Sequence, residues 1–190
     1  SYDAEFSAES ARWDYLISPN EYTNQIFRQA FDYQGPLLEV GYPRNDVLVR
    51  ASQSADIKSS IKAKLNMADK KRVILYAPTW RETAERTKGN YTFDTEFPFD
   101  KIHELLEKDT ILLVRMHYLV AKQFDFTLYG DKIKDVSSGY DMSELLATSD
   151  LLITDYSSCL FDIAIMNQPM LFFIPDQKEY EEEMRGFYFP

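Results

Sequence analysis

The sequence predicts an α/β fold, a doubly wound parallel sheet with helices on both faces. Three observations carry that reading. Short, continuous apolar runs recur along the chain, among them Val73-Ile74-Leu75-Tyr76, Ile111-Leu112-Leu113-Val114 and Leu151-Leu152-Ile153. None alternates in polarity, as a strand with one wet face would. Stretches with helical apolar spacing separate them, and turn residues close each one.

The elements follow in order. Tyr15-Leu16-Ile17-Ser18 reads as a short buried strand, and Asn20 as the cap of a helix over 21–31 whose Ile26, Phe27, Ala30 and Phe31 share one face. Gly35-Pro36 breaks that helix, and Leu37-Leu38-Glu39-Val40 forms a second strand closed by Gly41, completing a β-α-β pattern. Gly41-Tyr42-Pro43-Arg44-Asn45-Asp46 is the crossover between two units. Residues 45–66 are helical and polar, anchored by Val47, Leu48, Ile57, Ile61 and Leu65.

A new α/β unit opens at Lys70-Lys71-Arg72. Its first strand, Val73-Ile74-Leu75-Tyr76, exits into Ala77-Pro78-Thr79-Trp80-Arg81. Residues 82–97 are polar and read as an exposed excursion. A helix runs from Pro98 or Asp100 to Leu106, and Thr110-Ile111-Leu112-Leu113-Val114 is the next strand, ending at Arg115-Met116-His117. Residues 132–136 form a short edge strand. Asp141 and Glu144 have capping-box spacing for a helix through Ala147. Strand Leu151-Leu152-Ile153-Thr154 turns through Asp155-Tyr156-Ser157-Ser158 into an apolar helix over 159–166, and Met170-Leu171-Phe172-Phe173-Ile174 is a further strand. An acidic helix over 177–184 precedes Phe187-Tyr188-Phe189-Pro190, and a closing helix is expected to be missing.

Composition narrows the function classes. The 190 residues carry 21 Lys plus Arg against 31 Asp plus Glu, a formal charge of -10. That balance argues against non-specific nucleic-acid binding, because no positive field competes for a phosphate backbone. A local phosphate pocket stays compatible with it. The apolar share of 45% provides a sizeable core and excludes a disordered tail. Cys159 is the single cysteine, and His103 and His117 are the two histidines. An intrachain disulfide and a thiolate cluster are therefore excluded, no metal site is predicted, and a reducing compartment fits. No apolar run reaches the roughly 18 residues of a membrane span. The start, Ser1-Tyr2-Asp3-Ala4-Glu5, lacks the regions of a signal peptide and reads as a cut point.

In open α/β sheets, ligands bind outside the carboxyl ends of the strands. Four polar clusters are predicted there: Thr79-Trp80-Arg81, Arg115-Met116-His117, Ser137-Ser138-Gly139-Tyr140 and Asp155-Tyr156-Ser157-Ser158. Ser157 and Ser158 stand where a strand enters a helix, so they either bind a phosphate with the first-turn N–H groups or serve as N-cap and packing residue. His117 is a phosphate donor or acid–base group, or an ordinary surface histidine. Arg115 clamps a phosphate or pairs with an acid. Asp155 is a base, a helix cap, or the group that orients His117 or an arginine. Glu144 binds ribose hydroxyls or completes the capping box. Cys159 reads as a buried inert thiol, and His103 as a surface or packing residue. Neither Walker loop nor dinucleotide fingerprint is present, and without a G-x-S-x-G elbow a Ser-His-Asp hydrolase is disfavoured.

Taken together and in this order, Tyr15-Leu16-Ile17-Ser18-Pro19-Asn20, Gly41-Tyr42-Pro43-Arg44-Asn45-Asp46, Ile74-Leu75-Tyr76-Ala77-Pro78-Thr79-Trp80-Arg81, Arg115-Met116-His117 and Leu152-Ile153-Thr154-Asp155-Tyr156-Ser157-Ser158 with Phe161-Asp162 resemble the CDP-glycerol:poly(glycerophosphate) glycerophosphotransferase family, the teichoic acid polymerases and primases. The resemblance implies Rossmann-like parallel sheets of a GT-B-like two-domain glycosyltransferase fold, present as a fragment. Residues 1–42 would be the end of the first domain, 43–69 the interdomain crossover and helix, with Pro43-Arg44-Asn45 at the hinge, and 70–190 most of the donor-nucleotide domain.

The implied reaction moves glycerol phosphate from CDP-glycerol to the terminal hydroxyl of a lipid-linked teichoic acid acceptor, releasing CMP. His117 matches the family histidine near the donor phosphates. The family's other histidine, a general base in the first domain, has no counterpart here, since His103 stands in a different motif context. Arg115, Ser157 and Ser158 would hold the pyrophosphate, with Thr79 and Arg81 lining the same side. The implied partners are the CDP-glycerol donor, the acceptor and a missing N-terminal domain, with no nucleic acid and no cofactor. A loosely held divalent ion on the donor phosphates stays open. The implied location is the cytoplasmic face of the bacterial membrane, as a peripheral protein, this stretch itself being soluble. A CDP-ribitol transferase, a GT-B nucleotide-sugar glycosyltransferase and a non-catalytic donor-binding relative are the alternatives.

Overall fold

The structure is a computed structural model that describes residues 2–79, 86–87, 90–91, 96–117, 121–122 and 124–177. Two units are present, Ser1–Asp46 and Val47–Pro190.

The first unit contains α1 (Tyr2–Ser10), β1 (Leu16–Ser18), α2 (Glu21–Ala30) and β2 (Leu37–Glu39). The strands pair in parallel, Leu16 opposite Leu37, as the β-α-β pattern predicts. Asn20 caps α2 by accepting from the Thr23 backbone N–H and hydroxyl, both at 2.9 Å. Asn24 Nδ2 donates to Glu39 Oε2 at 2.9 Å and fastens the helix to β2. The return turn is held by Tyr33, whose hydroxyl donates to Pro36 O at 3.2 Å. Gly35 is required there, since a Cβ would lie 2.4 Å from that hydroxyl oxygen. One expectation is corrected. The β1 run is not a buried strand: Tyr15 is 63% and Ile17 38% exposed. Nor does α2 bury a residue; Phe27 and Phe31 instead pack ring on ring at 5.3 Å, with Trp13 edge-on to Phe31.

A 3₁₀ turn at Pro43–Asn45 ends the first unit and leads into α3 (Asp46–Gln53), with which the second begins; α4 (Ala55–Lys64) and β3 (Arg72–Ala77) follow. A small hairpin, β4 (Arg86–Thr87) and β5 (Asn90–Tyr91), precedes α5 (Phe99–Leu105) and β6 (Thr110–Val114). There follow β7 (Ile133–Asp135), α6 (Met142–Thr148), β8 (Leu151–Thr154), α7 (Cys159–Ala164) and β9 (Met170–Phe172). The sheet runs β7-β6-β3-β8-β9, every pair parallel. Residues 132–136 therefore do form an edge.

Successive residues of β3 and β6 face opposite sides of the sheet. Val73, Leu75 and Leu113 join Leu48, Ile61, Leu65, Leu145 and Ile163 in one core. Tyr76, Leu112 and Val114 join Phe97, Phe99, Phe126 and Ile133 in the other. Both faces are dry, which is why the strand sequences show no alternation. Phe97 corrects the reading of 82–97 as exposed: it is 6% exposed and stacks on Tyr76 at 3.8 Å. Of the acidic helix predicted over 177–184, all but Gln177 lies outside the described residues, as does the aromatic end of the chain.

The amino-terminal edge of the sheet is tied by Asp150. Its carboxylate accepts from Val73 N at 2.8 Å and from Lys58 Nζ at 2.6 Å, with Lys62 Nζ at 3.7 Å. Burial pushes the Lys62 ammonium below its ordinary pKa of 10.5, only partly offset by Asp150. The folded state therefore loses this proton before the unfolded chain does. Stability should rise with pH across the window between the lowered value and 10.5. The stability difference between wild type and Lys62→Met, measured by urea unfolding at several alkaline pH values, is expected to shift in favour of wild type as pH rises; a pH-independent difference would contradict the assignment.

Candidate functional site

The strand order reverses between β3 and β8. The chain steps outward from β3 to β6 and β7, then returns to the opposite side of β3 for β8 and β9. Beyond the carboxyl ends of β3 and β8 such a sheet opens a crevice. The segments that leave these strands are the polar clusters predicted from sequence.

Asp155 and Thr79 meet across this reversal. The Asp155 carboxylate, 3% exposed, accepts from the Thr79 backbone N–H at 2.8 and 3.0 Å and from its hydroxyl at 2.7 Å. One residue earlier on β8, the Thr154 hydroxyl donates to Ala77 O at 2.7 Å. The two strand exits are thus sewn together, and the bonds to the Asp155 carboxylate are charge-assisted, the strong kind. Asp155 is an orienting residue, and what it orients is the β3 exit loop. Arg81, two residues further on, lies outside the described residues, as does Trp80.

The β6 and β7 exits are joined separately. Arg115 N donates to Tyr76 O at 2.8 Å, keeping the β6 exit beside β3. Arg115 Nη1 donates to Val136 O at 2.6 Å. Among the described residues no carboxylate pairs with this guanidinium, so its remaining donors face no anion of the protein there. His117 is exposed at the same edge, and its carbonyl accepts from Ala121 N at 3.1 Å. Ser138 is exposed in the β7 exit, followed by Gly139 at φ +77.

At the β8 exit the details differ from expectation. The N-cap of α7 is Ser158, not Ser157, and the Ser158 hydroxyl makes no capping bond. Leu160 N and Phe161 N donate back to Ser157 O and Ser158 O at 3.2 and 3.1 Å. Those two amides are therefore already used, so a ligand here would meet the serine hydroxyls rather than Leu160 N or Phe161 N. Cys159 is buried and its thiol pKa is pushed up, first by desolvation and further by the charges of Asp162 and Asp155. It stays a protonated, unreactive thiol, as predicted.

Glu144 is not gathered with these groups. Asp141 does cap α6, accepting from Ser143 N at 2.8 Å and Glu144 N at 3.3 Å. The reciprocal half of the capping box is absent: the Glu144 carboxylate forms an ion pair with Lys64, just past which the chain leaves α4. His103 packs its ring against Tyr129 at 5.4 Å. Among the described residues, no group of three His, Cys, Asp or Glu is arranged to hold a metal ion. Sequence reasoning placed Ser137 in a polar cluster but gave it no role of its own; it is the residue that bonds to the Arg115-Met116-His117 loop, Met116 N donating to its hydroxyl at 3.0 Å. The Asp-x-Ser spacing of Asp135 and Ser137, which sets an Asx turn, was the available signal.

Comparisons with known proteins agree across the whole chain. The profile of the CDP-Glycerol:Poly(glycerophosphate) glycerophosphotransferase family matches residues 1–190. A teichoic acid poly(glycerol phosphate) polymerase of Bacillus subtilis (strain 168) is 46% identical over 188 residues, covering 99% of this chain and 25% of that protein. A teichoic acid glycerol-phosphate transferase of Staphylococcus aureus (strain NCTC 8325 / PS 47) is 42% identical over 189 residues, covering 99% of this chain and 48% of that protein. The solved structure of the wall teichoic acid polymerase TagF superposes with a TM-score of 0.86 at 45% identity, covering 98% of this chain and 46% of that one. The chain thus spans half or less of the length of these relatives.

Proposed function

The chain belongs to the CDP-Glycerol:Poly(glycerophosphate) glycerophosphotransferase family, and from that membership we propose that it supplies the donor site for transfer of glycerol phosphate from CDP-glycerol to a teichoic acid acceptor. The observation that carries the proposal is the gathering of Thr79, Asp155, Ser157, Ser158, Arg115 and His117 on the exits of parallel strands around the order reversal.

In the proposed reaction the terminal hydroxyl of the acceptor attacks the phosphorus that carries glycerol. The bond from that phosphorus to the bridging oxygen breaks, and CMP leaves with the electron pair. Charge grows on the CMP phosphate. His117 donates a hydrogen bond to it, and Arg115 holds the pyrophosphate with the guanidinium donors not spent on Val136 O. Ser157 and Ser158 offer hydroxyls to the same group. Asp155 does not touch the donor; it fixes Thr79 and the β3 exit that walls the site. Glu144, held by Lys64, is not given a ribose-binding role. In this reading the acceptor proton passes to a general base of the first domain, which His103 is not.

The acceptor is lipid-linked in this reading, which puts the working protein against the cytoplasmic face of the membrane. No helix among the described residues is long and apolar enough to cross one. The proposal keeps the division of labour in which residues 1–42 end a first domain, 43–69 form the crossover and 70–190 bind the donor.

The test is CMP release by the full-length protein, with CDP-glycerol, CDP-ribitol and UDP-glucose offered in turn with a glycerol phosphate-primed lipid acceptor. CDP-glycerol is expected to be consumed in preference to the others. Preferential turnover of UDP-glucose would reject phosphate transfer, and preferential turnover of CDP-ribitol would reject the glycerol assignment.

A further inference from the structure

We propose that Ser137 is a positioning residue for Arg115 and His117, replacing a missing rung of the β6–β7 ladder with its hydroxyl. The inference rests on the donor-phosphate role given to those two residues. In the regular part of the ladder Leu112 N donates to Lys132 O at 2.8 Å, and at its far end Val136 N donates to Val114 O at 2.9 Å. The two-residue step of a parallel pair would next bring Met116 N to Val136 O. That carbonyl already accepts from the Arg115 guanidinium at 2.6 Å, and Met116 N turns to a side chain instead.

The Ser137 hydroxyl stands in for it. Its oxygen accepts from Met116 N at 3.0 Å, and it reaches back toward Val114 O at 3.5 Å. The same hydroxyl thus contacts the backbone on both sides of Arg115. Ser137 is itself set by Asp135, whose carboxylate accepts from Ser137 N at 2.9 Å in an Asx turn. Met116 is 5% exposed, so its amide has little water to turn to if the hydroxyl is lost. It would then turn to Val136 O and crowd the guanidinium that already donates to that oxygen. The strand would lengthen by one rung, Arg115 would be released, and His117 would be carried out of its orientation.

The experiment measures CMP release from CDP-glycerol by full-length wild type, Ser137→Ala, Ser137→Thr and His117→Ala, with thermal midpoints alongside. In Ser137→Ala kcat is expected to fall about ten- to a hundredfold, the scale of misplacing a catalytic group by about 1 Å, with a smaller change in KM for the donor. Ser137→Thr, which keeps the hydroxyl, should restore most of kcat. The His117 imidazole NMR signals should move in Ser137→Ala and return in Ser137→Thr. Should Ser137→Ala not fold, Asp135→Ala, which frees Ser137 at an exposed position, is expected to lower kcat about three- to tenfold. Wild-type kcat in Ser137→Ala, or in Asp135→Ala if that is the variant that folds, would overturn the proposal if His117→Ala is impaired. Equal failure of Ser137→Ala and Ser137→Thr would also overturn it. Full activity in His117→Ala would instead reject the reading on which it rests.

Discussion

Replacing His117 with alanine is expected to lower kcat for glycerol phosphate transfer about 10²- to 10³-fold, the usual result of deleting one donor aimed at developing transition-state charge. The donor's KM should change far less, because Arg115 and the serine hydroxyls remain. This split separates His117 from a residue that merely holds the ground-state donor. The imidazole is exposed on the β6 exit and packs in neither core, so the unfolding midpoint should stay close to wild type. A stable variant with unchanged kcat would remove His117 from the mechanism. The measurement is steady-state CMP release over a range of CDP-glycerol concentrations.

Asp155→Ala is expected to act on stability and function together. The carboxylate is 3% exposed and receives both the amide and the hydroxyl of Thr79. Its removal leaves a partly buried backbone N–H without this acceptor. Hydrogen bonds to a charged partner contribute about 1.5–3 kcal/mol, so a loss of about that size is expected in urea unfolding. Donor binding should weaken as well, because the β3 exit is no longer tied to β8. Asp155→Asn keeps one acceptor oxygen and should fall between wild type and alanine. An alanine variant as stable as wild type would mean that the two strand exits do not depend on this contact.

The sheet was legible in the sequence for a definite reason. With a core on each face, residues 73–77 of β3 and 111–114 of β6 must be apolar, and such runs stand out without any partner being known. The carboxyl-end clusters were legible for a related one: strand direction is fixed once the strands are parallel, so their exits share an edge. α1 was not foreseen, because Tyr2, Ala4, Phe6 and Ala8 alternate in the manner of a strand. The β1 run looked buried because its composition matches that of the core strands, while its exposure is set by what packs around it.

Side-chain partners were the least legible. Glu144 has capping-box spacing, yet it pairs with Lys64, a residue 80 positions away that no local pattern reveals. Ser137 and Ser138 stood in one predicted cluster, and adjacent serines look alike in sequence. What distinguishes them is the occupied carbonyl of Val136, a fact of strand register. The cap of α7 lies one residue later than expected, at Ser158, which changes which amides remain for a phosphate.

The central claim is that this chain carries the donor-nucleotide site. The most direct test is calorimetric titration of the folded chain with CDP-glycerol, with CMP and UDP-glucose as comparisons and Arg115→Ala as the variant. The account predicts binding of both cytidine ligands in preference to UDP-glucose, weakened by the substitution. Absence of cytidine binding by a demonstrably folded sample, or binding that Arg115→Ala leaves unchanged, would contradict it.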